Sequence, residues 1–507
     1  MKKDKKEKKQ NSENKIKFSE KLSLKFRKRV LTSRVETFFI VAILVMAYIA
    51  LNLWASKTEL PQIDVTENQL YTITESTKKV IENISQEVKI YAYGFEEDSS
   101  LIDLLKQYNE VNDKITAEIL TEENNYEMVT KYGLSEGYNV VIIQSGGSEK
   151  VIDASTEFTT YDYTTYQSVD ITEQTITNTI LALNTENKPK IYFTQGHQEY
   201  DSTAIGSLVA KLKNEAFEVE FVNLATKGMV PEDCDILAII SPSEDFHDVE
   251  VAAVNDYINK GGEIFFSMDV ISQAINLSNL QKILDLYGVS FENGYVFECS
   301  DNKYLSEYNY IFMPEISNQS DITKDIYTDS ALWLVFSGRL KFQSDEMLQN
   351  LNITKETLLS STDESLFITN LSTDLSQAVS EATAAGTFDS SEIASAITKK
   401  IIKEDGSEVE SKLVMVASSS FMADYVLSEL NQSYPLSYIG SNLDFVLNSM
   451  GQLGGKENIL TIRKEYNSST YTPTNIQNII VIAIIILVPL FIIIIGLVVG
   501  VWRKRRK

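Results

Sequence analysis

Residues 188–200 read KPKIYFTQGHQEY, and this stretch decides the fold that the sequence predicts. It is a short apolar strand that follows a proline and runs into a polar loop. Similar apolar strands are predicted at 217–222, 235–241 and 263–268, with amphipathic helices at 204–214 and 249–259. Alternation of buried strands with helices predicts a parallel, doubly wound α/β sheet of the flavodoxin-like or Rossmann-like kind.

In such a sheet the loops that follow the parallel strands meet at one edge, where ligands bind. Six side chains in or near these loops are the candidate ligand-binding residues: His197, Glu199, Ser241, Glu244, Asp269 and Asp424. A histidine beside carboxylates could act as a general base or bind a metal ion. It could also simply cap the next helix or bond to its own loop, and we favour this third interpretation. We therefore predict no catalytic residue, no metal ligand and no cofactor.

Motif searches also favour a non-enzymatic protein. The fragment nearest to a P-loop, Gly454–Glu457, lacks both the spacing and the hydroxyl that nucleotide binding requires, so this chain is not itself a P-loop ATPase. There is no His-Glu-x-x-His and no Gly-x-Ser-x-Gly, and two histidines, His197 and His247, cannot form a three-histidine metal site. Cys234 begins a buried strand and is expected to be inert, which argues against an amidotransferase-like activity.

A smaller α/β domain is predicted before this sheet. Its elements are a strand at 87–93, a helix at 100–110, a strand at 114–120, a helix at 125–132 and a hairpin formed by 138–144 and 149–153. This is the order of elements in a thioredoxin-like domain. Because the chain has no Cys-x-x-Cys, we expect a binding or spacer version of that fold without redox activity.

The segment that follows the first strands of the larger domain is less regular. Residues 270–410 are predicted to be an elaborated insertion with many loops, and Ser372–Ala396 to be a polar, weakly helical or mobile arm. Regular structure is expected to resume with a buried strand at 412–418, a helix near 440–450 and a last strand at 459–464.

Two apolar runs, Val35–Trp54 and Ile476–Trp502, each approach the roughly 20 residues that cross a bilayer as a helix. Basic clusters flank both runs on their outer sides, with fourteen Lys and Arg against four acids in 1–34 and RKRRK at 503–507. The positive-inside rule then predicts a two-pass cell-membrane protein with both termini cytoplasmic and the bulk extracytoplasmic. A cleaved signal peptide is the alternative for the first run, but its leader of more than thirty residues favours an anchor.

Charge excludes one class of partner. The chain has a formal net charge of −25 although both ends are basic, so the long middle is strongly acidic and repels nucleic acid. The basic tails are expected to contact the lipid bilayer.

The predicted organisation is 1–34 basic cytoplasmic tail, 35–54 first transmembrane helix, 60–155 thioredoxin-like domain, 156–188 linker and helix, 189–465 doubly wound domain with an insertion at about 300–410, 476–502 second transmembrane helix and 503–507 basic tail.

Successive blocks of the chain resemble the gliding-motility-type auxiliary proteins of ABC transporters, an ABC-type uncharacterised transport system family. The blocks are LPQIDVTENQLYTITESTKKVIENI (60–84), KIYFTQGHQEY (190–200), CDILAIISPSEDF with INKGGEIFFSMDV (234–246 and 258–270), LLSSTDESLF (358–367), and VMVASSSFMADY with YIGSNLDFVLNSM (414–425 and 438–450). The family often has Gly-His-Gly-Glu where this chain has Gly196-His197-Gln198-Glu199, so the second glycine is replaced here.

The resemblance implies a membrane-tethered, non-enzymatic subunit that works beside an ABC-2-type permease and a cytoplasmic ABC ATPase, with an unknown cargo or envelope component bound by its outer domains. Two alternatives stay open. One is a stand-alone extracytoplasmic receptor or scaffold with a ligand near His197. The other is a membrane-anchored hydrolase that uses His197 and Glu199.

Overall fold

A computed structural model of the chain describes residues 72–162, 167–185, 188–271, 276–305, 308–324, 332–370, 375–426 and 435–455, together with Met46, Ile326 and Trp502. Apart from Met46 and Trp502, the predicted transmembrane segments 35–54 and 476–502 lie outside these residues, as do the tails 1–34 and 503–507 and the predicted strand at 459–464. Within the described part of the chain, no helix is both long enough and apolar enough to cross a membrane.

The first sheet contains the strands predicted for the smaller domain, together with neighbouring helices. In chain order these are α1 Glu75–Glu82, β1 Val88–Tyr93, α2 Ser100–Val111, β2 Ile115–Leu120, α3 Tyr126–Lys131, β3 Val140–Ser145 and β4 Ser148–Asp153. The strand order is β2-β1-β3-β4, in which β1 and β2 are parallel and the other pairs antiparallel. Gly146 and Gly147 both have positive φ, which the tight turn between β3 and β4 requires.

The predicted linker contains regular structure that packs on this first sheet. It comprises α4 Ala154–Glu157, a hairpin of β5 Thr159–Asp162 and β6 Gln167–Asp170, and α5 Thr172–Asn184. Ile176 and Ile180 of α5 are fully buried in the same core as Leu105 and Val141. A buried carboxylate, Glu173, accepts hydrogen bonds from the Thr74 N–H and the Thr77 hydroxyl, which attaches α5 to the start of α1.

The second sheet contains the predicted parallel strands. The first stretch of the chain that forms it comprises β7 Lys190–Thr194, α6 Gly206–Asn214, β8 Glu218–Val222, α7 Leu224–Lys227, β9 Ile236–Ile240, α8 Asp248–Asn259 and β10 Glu263–Ser267. After this stretch come α9 Ser278–Asp285, β11 Val289–Glu292, β12 Tyr295–Glu298, β13 Tyr304–Leu305, β14 Tyr308–Phe312, β15 Glu315–Ile316, β16 Leu334–Val335, β17 Arg339–Phe342, α10 Asp345–Asn350, β18 Ile353–Ser360 and β19 Ser365–Ile368. The chain continues with α11 Leu375–Ala385, β20 Glu392–Ile402, β21 Glu408–Val416, short 3₁₀ turns at Ser420–Met422 and Leu436–Tyr438, and α12 Asn442–Leu453.

This eight-stranded sheet is mixed, with four parallel and three antiparallel strand pairings. Its order is β15-β18-β20-β21-β10-β9-β7-β8, and the five strands from β21 to β8 are parallel to one another. Every residue of β9 is buried because the parallel part of the sheet is covered on both faces. The uninterrupted apolar sequence of β9, ILAII, predicts this. The mixed α/β class that the sequence predicts is therefore confirmed.

One expectation about the insertion is wrong in part. The segment Ser372–Ala396 is predicted to be a polar, weakly helical or mobile arm, and it contains helix α11 Leu375–Ala385, none of whose residues is buried. Its last five residues, however, begin β20, an eleven-residue strand inside the large sheet. Ile393, Ala394 and Ile397 are fully buried there. Alanine and serine give a weak strand signal in sequence, and pairing with β18 and β21 outweighs that local preference.

Candidate functional site

The carboxyl ends of the parallel strands form one edge of the large sheet. Register places Ile240 opposite Ser267, and Ser267 opposite Val416, so β9, β10 and β21 end side by side. The loop after β7 joins this edge because the Tyr200 N–H donates to the Ile240 carbonyl at 3.1 Å. The loops after these strands therefore converge, as the doubly wound arrangement predicts.

Gly196 allows the loop after β7 to turn sharply. Its φ is +126°, and a Cβ added there would lie 2.6 Å from the Nδ2 atom of Asn223. Asn223 cannot move away freely because its side-chain oxygen accepts a hydrogen bond from the Thr226 N–H at the start of α7. Only glycine fits this position, and the turn directs the next residue, His197, into the protein, where its side chain is 3% exposed.

Three residues, which we call the histidine cluster, meet at the start of α8: His197, His247 and Glu250. The Oε2 atom of Glu250 lies 3.0 Å from His197 Nε2 and 2.9 Å from His247 Nδ1. The two imidazole nitrogens are 3.4 Å apart. Glu250 also accepts the backbone N–H of His247 at 2.9 Å, so the same carboxylate caps α8.

Glu199 lies on the other side of the His197 ring. Its Oε2 atom accepts the His197 backbone N–H at 2.7 Å. Its Oε1 atom lies 3.8 Å from His197 Nδ1, beyond hydrogen-bond distance, and both of these buried atoms lack a hydrogen-bond partner. The imidazole of His197 therefore lies between two carboxylates, with Nε2 toward Glu250 and Nδ1 toward Glu199.

A second group at the same edge is centred on Asp269, just after β10. One oxygen of its carboxylate accepts from the Tyr200 hydroxyl at 2.7 Å and from the Ser241 hydroxyl at 2.8 Å. The other accepts from the backbone N–H groups of Ser419 and Ser420 at 2.7 and 3.0 Å. Burial, together with the nearby Asp269 carboxylate, raises the pKa of Tyr200 far above its usual range, so this hydroxyl stays a donor.

Ser241 adopts a left-handed backbone conformation, with φ of 54°. Such values are uncommon for residues other than glycine. Here two hydrogen bonds hold the residue in place, one from its N–H to the Ser267 carbonyl at 2.9 Å and one from its hydroxyl to Asp269. The loop after β9 is therefore fixed to the end of β10.

The six predicted site residues thus divide into three groups. His197 and Glu199 face each other, and Ser241 bonds to Asp269. Glu244 joins the first pair indirectly, because its N–H donates to the His197 carbonyl at 3.1 Å and its carboxylate accepts from Gln198. Asp424 belongs to neither group: its carboxylate accepts the Ser207 N–H at 2.6 Å near the start of α6 and the Ser437 hydroxyl at 2.5 Å.

The sequence reasoning missed His247 and Glu250 as site residues. Two signals could have found them: His247 is the second of only two histidines in the chain, and Glu250 follows it by three residues at a predicted helix start. It also missed Tyr200, Ser419 and Ser420, which have no distinctive sequence pattern.

The histidine cluster offers nitrogen and oxygen lone pairs that can accept a proton or bind a cation, but it contains no hydroxyl or thiol nucleophile. Within the described residues, no serine or threonine hydroxyl and no cysteine thiol forms a hydrogen bond with either imidazole. Cys234 is not available for nucleophilic chemistry either, because burial raises its pKa to about 12. A cavity of about 330 Å³ lies near the end of β10, and its lining mixes apolar residues such as Met268 and Phe291 with polar ones such as Gln281 and Asn293. The histidine cluster does not line this cavity.

Residues 188–449, just over half of the chain, match a protein family described as an ABC-type uncharacterized transport system. The chain belongs to this family. The match starts immediately before β7 and ends within α12, so the family segment contains the whole large sheet, the histidine cluster and the Asp269 group. Family membership confirms the resemblance seen in the sequence blocks. Among curated proteins, none matches the sequence.

Several solved structures resemble parts of the chain at low similarity. The mmIFT52 N-terminal domain is 14% identical, covers 52% of this chain and 97% of its own, and has a TM-score of 0.35. A ThuA-like protein from Bacteroides uniformis is 12% identical, covers 53% of this chain and 94% of its own, and has a TM-score of 0.31. The NTD_N/C domain of alkylhydroperoxide reductase AhpF from Enterococcus faecalis is 14% identical, covers 31% of this chain and 82% of its own, and has a TM-score of 0.18. At these scores the similarities support no inference about function.

Proposed function

We propose that this chain is a non-enzymatic, membrane-anchored auxiliary subunit of an ABC transport system. In this proposal it works beside a separate ABC-2-type permease and a cytoplasmic ABC ATPase, and its outer domains bind or present a cargo or an envelope component. The observation that carries the proposal is the family match over residues 188–449. Because the chain has no P-loop, energy for transport must come from a partner.

The proposed anchors are the two apolar segments 35–54 and 476–502. Their basic outer flanks support a two-pass topology with both termini in the cytoplasm, which places residues 60–465 outside. Two helices cannot enclose a solute path, and neither has an ionisable residue near its centre. We infer that they dock on the permease, with the basic tails close to anionic lipid.

The strand order of the large sheet and the element order of the smaller domain support the two fold assignments that accompany this proposal. Numbered along the chain, the five parallel strands have the order 2-1-3-4-5, which is that of flavodoxin-like sheets. The smaller sheet has the element order that predicts a thioredoxin-like domain, and it contains neither cysteine of the chain. We infer that this domain is a spacer or binding module and that it has no redox activity.

The absence of a nucleophile beside the imidazoles, within the described residues, favours the auxiliary role over the hydrolase alternative. What the large sheet offers instead is a rigid edge. Asp269 joins the loops after β7, β9, β10 and β21 by accepting hydrogen bonds from four residues, and a rigid set of loops suits binding of a partner or cargo.

A mild-detergent pull-down of the tagged full chain, read by mass spectrometry, tests the proposal. We expect recovery of a multi-span permease and an ABC ATPase. The matched control replaces residues 476–502 with an unrelated apolar helix of the same length, which keeps a second anchor but removes any specific docking surface. This control is expected to lose both partners.

Recovery of neither partner from a well-folded full chain would contradict the auxiliary role and favour a stand-alone receptor. Recovery of both partners with the replaced helix would keep the auxiliary role but show that docking uses the outer domains. Hydrolysis of a co-purified substrate that stops in a His197→Gln variant would favour the hydrolase alternative.

A further inference from the structure

The two histidines of the whole chain lie fifty residues apart in sequence and meet at one buried carboxylate. We propose that the histidine cluster is a site for a divalent first-row transition metal ion of the zinc type, with His197 Nε2, His247 Nδ1 and a Glu250 carboxylate oxygen as ligands. The proposal does not depend on the transport role, since it concerns only what these three side chains bind.

The geometry of the three atoms fits one small ion. A tetrahedral ion with nitrogen and oxygen ligands at about 2.0–2.2 Å separates its ligand atoms by about 3.4 Å. The three separations here are 2.9, 3.0 and 3.4 Å. An ion slightly outside the plane of these atoms would therefore reach all three with only small side-chain adjustments.

Charge gives a second, independent reason. The side chains of Glu199 and Glu250 are each 1% exposed and lie on opposite sides of one imidazole. Within the described residues, neither carboxylate forms an ion pair with a lysine or arginine; the only basic groups near them are the two histidines. Buried carboxylates need compensation, and a divalent cation beside Glu250 supplies it.

The unpartnered atoms give a third reason. If His197 Nε2 carries the proton that bonds to Glu250, then Nδ1 presents a lone pair to the Glu199 carboxylate, and neither atom has a donor. A metal on Nε2 reverses this arrangement, because the ring proton then lies on Nδ1 and faces Glu199 Oε1 at 3.8 Å. A movement of these two side chains toward each other by somewhat less than about 1 Å would bring the two atoms to hydrogen-bond distance. Histidine ligands in proteins commonly make such a bond from their second nitrogen to a carboxylate.

The ligand set and its exposure decide the class of ion. Imidazole nitrogens favour zinc and its neighbours over magnesium or calcium, which prefer oxygen ligands. His197 and Glu250 are buried, but the His247 side chain is 71% exposed, so one side of the site faces solvent. Three protein ligands with an open side leave at least one coordination position for water or for an exogenous ligand.

The test is zinc and cobalt binding by the full chain, purified in detergent with a tag that contains no histidine. Because the chain has only two histidines, any histidine-dependent binding must come from this cluster. We expect one equivalent of Zn²⁺ with a Kd tighter than about 10 µM. With Co²⁺ we expect a visible absorption spectrum that shows nitrogen ligation.

Four variants distinguish the ligands from their neighbours. His247→Ala and Glu250→Gln should each weaken metal binding by at least about 100-fold. Glu199→Gln changes only the carboxylate beside His197 Nδ1, not a ligand, and should weaken metal binding by about 10- to 100-fold. His247 is exposed, so its variant should keep the fold by circular dichroism even if the Glu250 variant does not. The control is Asp248→Asn, a neighbouring carboxylate whose side chain is 90% exposed, which should leave binding unchanged.

Two results would overturn the proposal. One is a folded full chain that takes up no stoichiometric Zn²⁺ or Co²⁺. The other is binding that is the same in the wild type and in His247→Ala, which would mean that the metal is held elsewhere, for example by surface carboxylates.

Discussion

The Tyr200 hydroxyl donates to the Asp269 carboxylate at 2.7 Å, which joins the loop after β7 to the end of β10. The two residues belong to loops on different strands, and β9 lies between those strands in the sheet. Ser241, which follows β9, donates to the same carboxylate oxygen. One side chain therefore sets the spacing of three adjacent loops.

Replacing this carboxylate should be costly. Asp269→Asn removes the charge from an acceptor of several buried hydrogen bonds, and we expect a loss of about 2–3 kcal/mol in the free energy of unfolding. Tyr200→Phe removes one donor and should cost about 1 kcal/mol. Urea unfolding followed by circular dichroism measures both. Asp256→Asn, at an exposed pair with Lys260, should cost less than about 0.5 kcal/mol; an equal loss in both aspartate variants would contradict the role of Asp269.

Gly196→Ala should destabilise the protein more than Gly228→Ala does. Both glycines have positive φ, so both variants carry the backbone cost of a left-handed conformation, but only the Gly196 Cβ meets another residue, Asn223. We expect Gly196→Ala to lose about 1–2 kcal/mol more. Thermal unfolding of the two variants side by side gives the comparison, and similar melting temperatures would show that Asn223 moves aside at no cost.

Strand β20 is a core element, and paired alanine substitutions test this directly. Ile393 is fully buried and Ile402, at the other end of the strand, is 64% exposed. Ile393→Ala should cost about 2–4 kcal/mol through cavity formation, whereas Ile402→Ala should cost less than about 0.5 kcal/mol. Trp333 fluorescence during urea unfolding, in a background with Trp54 and Trp502 changed to Phe, reports on the large domain. Equal small costs would mean that 392–402 is not a core strand and that the predicted arm, 372–396, extends into it.

Glu263, at the start of β10, should make stability depend on pH. Burial raises the pKa of its carboxyl to about 7 from an ordinary value of 4.5, and the folded protein therefore favours the protonated form. This contribution is complete below pH 4.5 and is lost as pH rises through 7. Since the side chain is partly exposed, we expect a change of roughly 2 kcal/mol.

The matched variant for this prediction is Glu263→Gln, which cannot ionise. Compared with the wild type, it should gain about 2 kcal/mol in relative stability between pH 4.5 and pH 8, measured by urea midpoints at each pH. A constant difference between the two proteins across this range would show that Glu263 ionises without penalty.

The parallel strands were predictable because buried strands have uninterrupted apolar runs. Residues 235–241 and 263–268 are predicted as strands, and the structure has Ile236–Ile240 and Glu263–Ser267. The pairing of Ser241 with Asp269 follows from the same rule, since both residues come directly after neighbouring strands. Asp424 follows the last parallel strand too, but the 3₁₀ turn at Ser420–Met422 carries it away to the start of α6.

The histidine cluster and β20 could not be predicted in this way. His247 and Glu250 lie at the beginning of a helix, seven and ten residues beyond the end of β9, and the rule about strand ends does not reach them. Strand β20 contains small side chains and is stabilised by partners far along the chain. The pairing of β20 and the meeting of His197 with His247 and Glu250 both depend on contacts between residues far apart in the chain.

The register between β10 and β21 pairs Ile264 with Leu413, which are distant in the chain. During synthesis β10, with the sequence EIFFS, is complete long before its second neighbour exists. Until then the backbone edge of β10 that later pairs with β21 is open to any other chain. A chain that ends before residue 408 would therefore be prone to aggregate, because β10 would lack the neighbour β21 that covers this edge.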